Sequence, residues 1–451
     1  MRMLPAWLAS LIFFTVLGTI IASQVFWFRR ARRFVRSRPL RWQRWALGLP
    51  IYAWFSLLAG MLVFVPLRWL LVDAAPVLLS LFMLFRRPAL MMPIGLWLTA
   101  SMLSFVLVVA VQGAGWLGTR YRRLRTPAGD TLVPERRHFL QTATYVAAAV
   151  PFAVVGYGFL IERQNYQVKE VAVPIPNLPQ ALDGLRLLLL TDVHASAYMP
   201  VPEIRRIVGL CKELDPDLVF HTGDFTTGRG DPLVGAVAEL VGIQGRYGNF
   251  GCLGNHEIYA GTTRAATELF ARGDVRILRG ENTEVEIRGT KLNLIGVDYQ
   301  RQPNRVLDAE TWWKTRGLPG VEKLVRRDCP NLLLTHNPNP FLRAAELGIE
   351  LTLAGHTHGG QVQVEILNTR FSPARFMTRF ISGLYSLPSG AAADPVAGAT
   401  GLSVGSKAST GRGSRVAGRC SLYVSSGIGT IGTPIRLGVP PEIALLTLRR
   451  A

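Results

Sequence analysis

The stretch LAGHTHGGQV, Leu353 to Val362, decides how the rest of this chain is read. An apolar run ends in two histidines one residue apart, His356 and His358, followed at once by Gly359 and Gly360. Imidazole is the commonest metal ligand among side chains. Two imidazoles at a strand end converge on one point only where the backbone bends sharply, which glycine permits. The stretch predicts a metal site whose other ligands come from elsewhere in the chain.

Working outward, β-rich runs such as LRLLLLTDVH, PDLVFHTGD, YGNFGCLGNHE, LNLIGVD, CPNLLLTH, IELTLAGHTH and IALLTL alternate with helix-like segments such as EIRRIVGLCKEL and RAATELFARG from about residue 171 onward. Their ends carry the polar clusters TDVH (Asp192, His194), HTGD (Asp224), GNHE (Asn255, His256), LTHNP (His336) and GHTHGG. Open α/β sheets gather ligand sites at the carboxyl ends of their strands, because the loops there converge. Of the seven histidines in the chain, five, at 194, 256, 336, 356 and 358, are candidate site residues of these clusters. A lone D-x-H or G-D means little, but five clusters in this order carry information. His221 reads as a strand residue or a neighbour of the site, and His138 as unrelated to it.

The ordered set D-x-H, G-D, G-N-H-E, H and G-H-x-H resembles the calcineurin-like metallophosphoesterase superfamily over about residues 180–450. The GHTHGGQ form, with the later SSGIGTIGTPIRLGVPPEIALLTL, is most similar to its bacterial membrane-associated branch of YkuE-like and YaeI-like phosphodiesterases. The resemblance implies an α/β fold, a two-sheet β-sandwich flanked by helices, holding two divalent metal ions. Carried over by motif, Asp192, His194 and His358 would hold one ion, Asn255, His336 and His356 the other, and Asp224 would bridge them. His256 would be the general acid, and Gly359 and Gly360 would turn the backbone beside the phosphate. The chemistry of the residues agrees. Phosphate ester hydrolysis needs a nucleophile at neutral pH and neutralised phosphoryl oxygens, and a pair of divalent ions with a hydroxide between them supplies both. A mixed carboxylate, amide and imidazole set without thiolate suits Mn, Fe or Zn. Two departures from the family are present: GDFTTGRG places Thr227 where protein-serine/threonine phosphatases carry a second Asp, which argues against that activity, and Glu257 replaces the commoner Asp after GNH, a conservative change that leaves the ligand set intact.

Upstream, the composition changes. The chain has 451 residues, 49% of them hydrophobic, a mean hydropathy of +0.25 and a net charge of +20. Residues 1–170 carry 20 Lys and Arg against 5 Asp and Glu, whereas the remainder carries 30 against 25, so the excess base belongs to the apolar part. That is the pattern of arginines flanking membrane spans, and no nucleic-acid partner is expected. Spans are expected over about 5–28, 46–66, 92–118 and 139–160, with residues 70–85, interrupted by Asp73 and Pro76, as an interfacial or re-entrant segment. The eight arginines from Arg29 to Arg44, and those at 120, 122, 123 and 125, are expected in the cytoplasm; Arg136 and Arg137, in RRHFLQ, resemble a twin-arginine signal and send the next span outward. The domain after about residue 165 is thereby expected outside the cytoplasm, on a bacterial inner membrane.

The resulting expectation is a membrane-anchored, dinuclear-metal phosphoesterase over 171–451, a phosphodiesterase before a monoesterase, acting on a phosphate ester of lipid or envelope origin. A UDP-2,3-diacylglucosamine-type pyrophosphate hydrolase is the alternative within the class, opposed by the topology. A sensor or accessory protein whose domain only binds is the alternative outside it, opposed by the complete ligand set. Cys211, Cys252, Cys329 and Cys420 form no CxxC pair and read as core thiols at 211 and 252. The Gly-, Ala- and Ser-rich stretch at about 386–419 reads as a flexible insertion, and substrate choice is expected from loops 260–263 and 300–315.

Overall fold

Four consecutive leucines, Leu187 to Leu190, are all fully buried, so this strand is covered on both faces, as parallel strands under helices are. The computed structural model describes residues 6–71, 88–125, 134–302, 309–366, 369–376, 378–389 and 418–451. It forms two compact units that meet in sequence at Ile161 and Glu162.

The first unit consists, among the described residues, of helices α1 (Ala6–Arg36), α2 (Arg41–Leu71), α3 (Pro88–Arg125) and α4 (Pro134–Leu160). Three stretches, Arg41–Leu62, Met92–Tyr121 and Arg137–Gln164, are long and apolar enough to cross a membrane; only described residues enter that count, and α1 runs through the first expected span. The helices outrun the expected spans because their hydrogen bonds are local and do not stop at the edge of the hydrocarbon. Within the unit, Gln24 bridges α1 and α3. Its amide donates to Ser101 Oγ at 3.0 Å, and its carbonyl accepts Trp97 Nε1 at 2.9 Å. A polar side chain in an apolar helix is satisfied in this way by its neighbours. The interfacial segment expected over 70–85 falls almost wholly outside the described residues.

The second unit carries the strands β1 (Gln167–Ile175), β2 (Arg186–Leu190), β3 (Leu218–Thr222), β4 (Asn249–Cys252), β5 (Val275–Ile277), β6 (Glu281–Ile287), β7 (Thr290–Gly296), β8 (Asn331–Leu334), β9 (Leu351–Ala354), β10 (Val364–Ile366), β11 (Thr369–Phe371), β12 (Gly383–Pro388), β13 (Arg419–Val424) and β14 (Glu442–Arg450). They make two six-stranded mixed sheets, ordered β1-β14-β2-β3-β4-β5 and β12-β13-β9-β8-β7-β6, with β10 and β11 a separate hairpin. Helices α5 (Val201–Lys212), α6 (Leu233–Leu240), α7 (Asn255–Ala260), α8 (Thr263–Ala271), α9 (Ala309–Arg316) and α10 (Phe341–Glu346) connect them.

Burial follows the two periods. Along β2, Leu187 and Leu189 pack with Phe220, Leu294, Leu334 and Leu353 in the core between the sheets, whereas Leu188 and Leu190 pack under the helices. In α5 the buried positions Ile204, Ile207, Val208 and Cys211 fall three and four apart, one helical face, and lie against that outer side of the first sheet. Trp313 and Phe341 belong to the matching layer on the second sheet. This is the two-sheet sandwich flanked by helices that the motifs led one to expect. One boundary differs: the expected insertion at 386–419 begins and ends inside paired strand, since Ser386 pairs with Ser421 and Pro388 with Arg419, and residues 390–417 lie outside the described residues. All four cysteines are free thiols.

Candidate metal centre

Each candidate metal ligand, and the candidate acid His256, sits just past the carboxyl end of a strand. β2 runs into Asp192 and His194, β3 into Asp224, and β4 into Asn255 and His256 at the start of α7; β8 runs into His336, and β9 into His356 and His358. The first three strands belong to one sheet and the last two to the other. The site therefore forms where the carboxyl edges of the two sheets meet.

The chain reaches it in an unusual backbone conformation. Asp192 (φ 53°), His194 (49°), Asp224 (56°), His356 (73°) and His358 (51°) are all left-handed. Each costs about 1–2 kcal/mol in a residue with a Cβ, and such strain gathers at functional sites. Hydrogen bonds continuing the sheet hold it: Asp192 N donates to Gly223 O at 3.1 Å, and His194 N to Asp224 O at 2.9 Å. Two glycines let the carboxylates approach the backbone. A Cβ on Gly254 would collide with Asp224 Oδ1, and one on Gly355 with Asp192 Oδ2.

The side chains converge. His194 Nε2 lies 3.1 Å from His358 Nε2, and His336 Nε2 lies 3.1 Å from His356 Nδ1. Asp224 Oδ2 stands between the two pairs, 3.5 Å from His194 Nε2 and 3.0 Å from His336 Nε2. Ligand-capable atoms lie within 4.8 Å of one another in three groups: Asp192 with His194 and His358, His194 with Asp224 and His256, and Asp224 with His336 and His356. Buried Asn255 presents an Oδ1 with no hydrogen-bond partner.

The nitrogens are assigned by their backs. His336 Nδ1 lies 2.7 Å from Thr222 O, and a carbonyl only accepts, so Nδ1 carries the proton and Nε2 faces Asp224. His256 Nδ1 likewise donates to Thr227 O at 2.6 Å, and His194 Nδ1 meets Thr227 Oγ1 at 3.2 Å. Burial pushes His194 and His356 down to about 3 and His358 well below its ordinary value, so these three are neutral imidazoles with lone pairs to offer. Burial acts against a charge on His336 too, but the Asp224 carboxylate outweighs it and raises that ring to about 9. Burial would likewise raise Asp224; the rings of His336, His194 and His256 hold it well below the usual carboxylate range. Asp192 is pushed up to about 6, chiefly by burial.

This donor set fits a pair of divalent cations. Paired imidazoles at 3.1 Å from each other, three of the four neutral, an unpartnered buried amide oxygen, and a carboxylate shared between the two histidine pairs are groups a cation would satisfy together.

Sequence reading missed three supporting residues. Glu257 is fully buried, and its carboxylate accepts the N–H groups of Asp224 (2.9 Å), Phe225 (2.8 Å) and Gly254 (2.9 Å), which fixes the loop that carries Asp224. Thr227, noted only as the residue replacing an aspartate, buttresses both His194 and His256. Arg436 is fully buried and donates to the carbonyls of Ser426, Gly427 and Gly429, shaping the loop whose Gly427 abuts Asp192. An arginine inside the apolar, Gly- and Pro-rich run GTPIRLGVPP was the available signal. His221 lies outside the site. It is fully buried between Phe225 and Phe270, with both ring nitrogens unpartnered.

Compared with known protein families, residues 185–360 match the calcineurin-like phosphoesterase family. Among curated proteins, a zebrafish (Danio rerio) "transmembrane protein with metallophosphoesterase domain" is 28% identical over 319 residues, covering 68% of this chain and 63% of its own length. The "uncharacterized metallophosphoesterase YkuE" of Bacillus subtilis is 23% identical, covering 70% of this chain and 97% of its own. "Phosphodiesterase YaeI" of Escherichia coli is 23% identical, covering 69% and 98%. The chain thus spans a little under two thirds of the zebrafish relative.

Proposed function

We propose, from the premise that this chain carries a calcineurin-like metallophosphoesterase domain, that it is a membrane-anchored phosphodiesterase using two divalent ions. The observation that carries the reading is the position of Asp224, whose Oδ2 lies 3.5 Å from His194 and 3.0 Å from His336, between two imidazole pairs. Asp192, His194 and His358 would hold one ion, Asn255, His336 and His356 the other, and Asp224 both. When bound, Mn, Fe or Zn ions supply positive charge for the phosphoryl oxygens and acidify water into a nucleophile.

The chain's own residues supply the rest. His256 keeps one proton on Nδ1 by donating to Thr227 O, so a second proton can reside only on Nε2, from which it passes to the departing oxygen. The ring is poised for this by its edge-on contact with His194, centroids 4.7 Å apart. Gly359 (φ 60°) and Gly360 (φ 82°) follow His358 in a conformation open to glycine, and a Cβ on either would strike Val439 and Ser426 or Ser372, so only glycine fits this turn beside the site.

Three helices apolar enough to span a bilayer, and relatives named as transmembrane proteins, support the anchor. The arginines at 29–44 and 120–125 support an extracytoplasmic catalytic domain, which favours a substrate from the lipid or envelope pool. The test is hydrolysis of bis-p-nitrophenyl phosphate and p-nitrophenyl phosphate by the full-length protein in detergent, with Mn, Zn, Fe or EDTA. Turnover that depends on metal and is faster on the diester is the expected result. Folded, metal-loaded protein that cleaves neither compound would remove the enzyme reading.

A further inference from the structure

We propose that Tyr259 and Tyr299 form the subsite for the second organic substituent on phosphorus, two phenol rings that grip a flat group and make the site prefer aryl diesters. The inference rests on the phosphodiesterase reading and extends it to the substrate's shape.

The two rings flank the histidine cluster from opposite sheets. Tyr259 belongs to α7, after β4 of the first sheet, and its ring centroid lies 5.7 Å from that of His256. Tyr299 follows β7 of the second sheet, and its ring lies 5.4 Å from His356 and 6.1 Å from His336. One ring thus touches the residue assigned to the leaving-group proton and the other touches two of the residues assigned to metal. The phenol groups also meet, since the Tyr259 hydroxyl acts on that of Tyr299.

The Tyr299 ring is held in place before a substrate arrives. Tyr299 is half-buried and pinned on both sides: Asp298 takes a bidentate bond from Arg279, Nε to Oδ1 at 3.1 Å and Nη2 to Oδ2 at 2.8 Å, and Gln300 Oε1 accepts Leu318 N at 3.0 Å. Tyr259 sits two residues beyond the fully buried Glu257 on the same helical turn, yet is 60% exposed. A large aromatic exposed beside a polar site, with no apolar core to enter, offers its face to a ligand; aromatic pairs prefer offset or edge contacts at this range of centroid distances. Fixing the Tyr299 ring in advance lowers the entropy lost on binding.

The experiment keeps the chemistry constant and changes only the retained group. Bis-p-nitrophenyl phosphate, methyl p-nitrophenyl phosphate and p-nitrophenyl phosphate all release p-nitrophenolate, but retain an aryl group, a methyl group and none. With full-length protein and saturating Mn, wild type is expected to favour the bis-aryl over the methyl ester in kcat/KM by about tenfold. Tyr259→Ala and Tyr299→Ala should each bring that ratio to within about twofold of one, and Tyr259→Phe and Tyr299→Phe, which keep the rings, should preserve it. General damage to the site lowers all rates together and leaves the ratio as it was. An unchanged ratio in both alanine variants therefore overturns the subsite, as does a ratio lost equally in the phenylalanine variants. Wild type inactive on all three esters overturns the phosphodiesterase reading itself, and the subsite with it.

Discussion

The backbone N–H of His356 donates to both carboxylate oxygens of Asp192, at 3.1 and 3.0 Å, and so ties the end of β9 to the end of β2, in the other sheet. The contact needs Gly355, where a Cβ would strike Asp192 Oδ2 and approach Thr191 Cγ2 to 2.8 Å. Gly355→Ala is expected to lower metal affinity by roughly 10–100-fold, the range for disturbing a group that orients a ligand. Titration of the apoprotein with Zn or Mn reads this directly, and wild-type affinity in the variant would show that the contact orients nothing.

Asp224 and His358 should differ in kind. Asp224 faces both imidazole pairs, whereas His358 Nε2 faces Asp192 and His194. Asp224→Ala is expected to lose both ions, and His358→Ala to retain about one per chain. Metal analysis after gel filtration decides between this and a site in which both variants lose the same number.

Glu257→Gln keeps the shape but weakens acceptance of the three N–H groups that the carboxylate now takes. Activity should fall by roughly 10–100-fold with little change in secondary structure by circular dichroism. A fall matched by unfolding would assign Glu257 to stability alone.

For His256→Asn, both metals should remain and turnover should drop by roughly 10²–10⁴-fold on alkyl esters. Esters with p-nitrophenolate as leaving group need little protonation and should be far less affected. Equal slowing across leaving groups would mean that His256 is not the acid.

His221 gives a pH dependence separate from catalysis. Burial lowers its pKa from 6.5 to about 4, so between those values the unfolded chain binds the proton and the folded one does not. Stability is complete above about pH 6.5 and is lost as pH falls toward 4, by about 2 kcal/mol at pH 5. His221→Phe fills the same slot between Phe225 and Phe270 without a titratable group. Urea midpoints in EDTA at about pH 7.5 and pH 5 should therefore differ less for the variant than for wild type; equal differences refute the account.

Much of this protein was legible in its sequence because the signals are local. Runs such as LRLLLL and LTLA, each ending in a polar cluster, announce buried strands with ligands at their carboxyl ends, and the charge-free apolar segments announce helices that can span a bilayer. The order of the clusters carried the resemblance that the family match at 185–360 repeats. Tertiary structure alone decided which residues meet. His194 and His358 are 164 positions apart and touch only because β2 and β9 run in the same sense in facing sheets. The clamp of Glu257 on the Asp224 loop, the buttressing of two histidines by Thr227, and the exclusion of His221 depend on which face of a strand or helix each side chain occupies against partners far away in sequence. Hydrophobic periodicity specifies that a face is buried; it carries no information about what lies opposite.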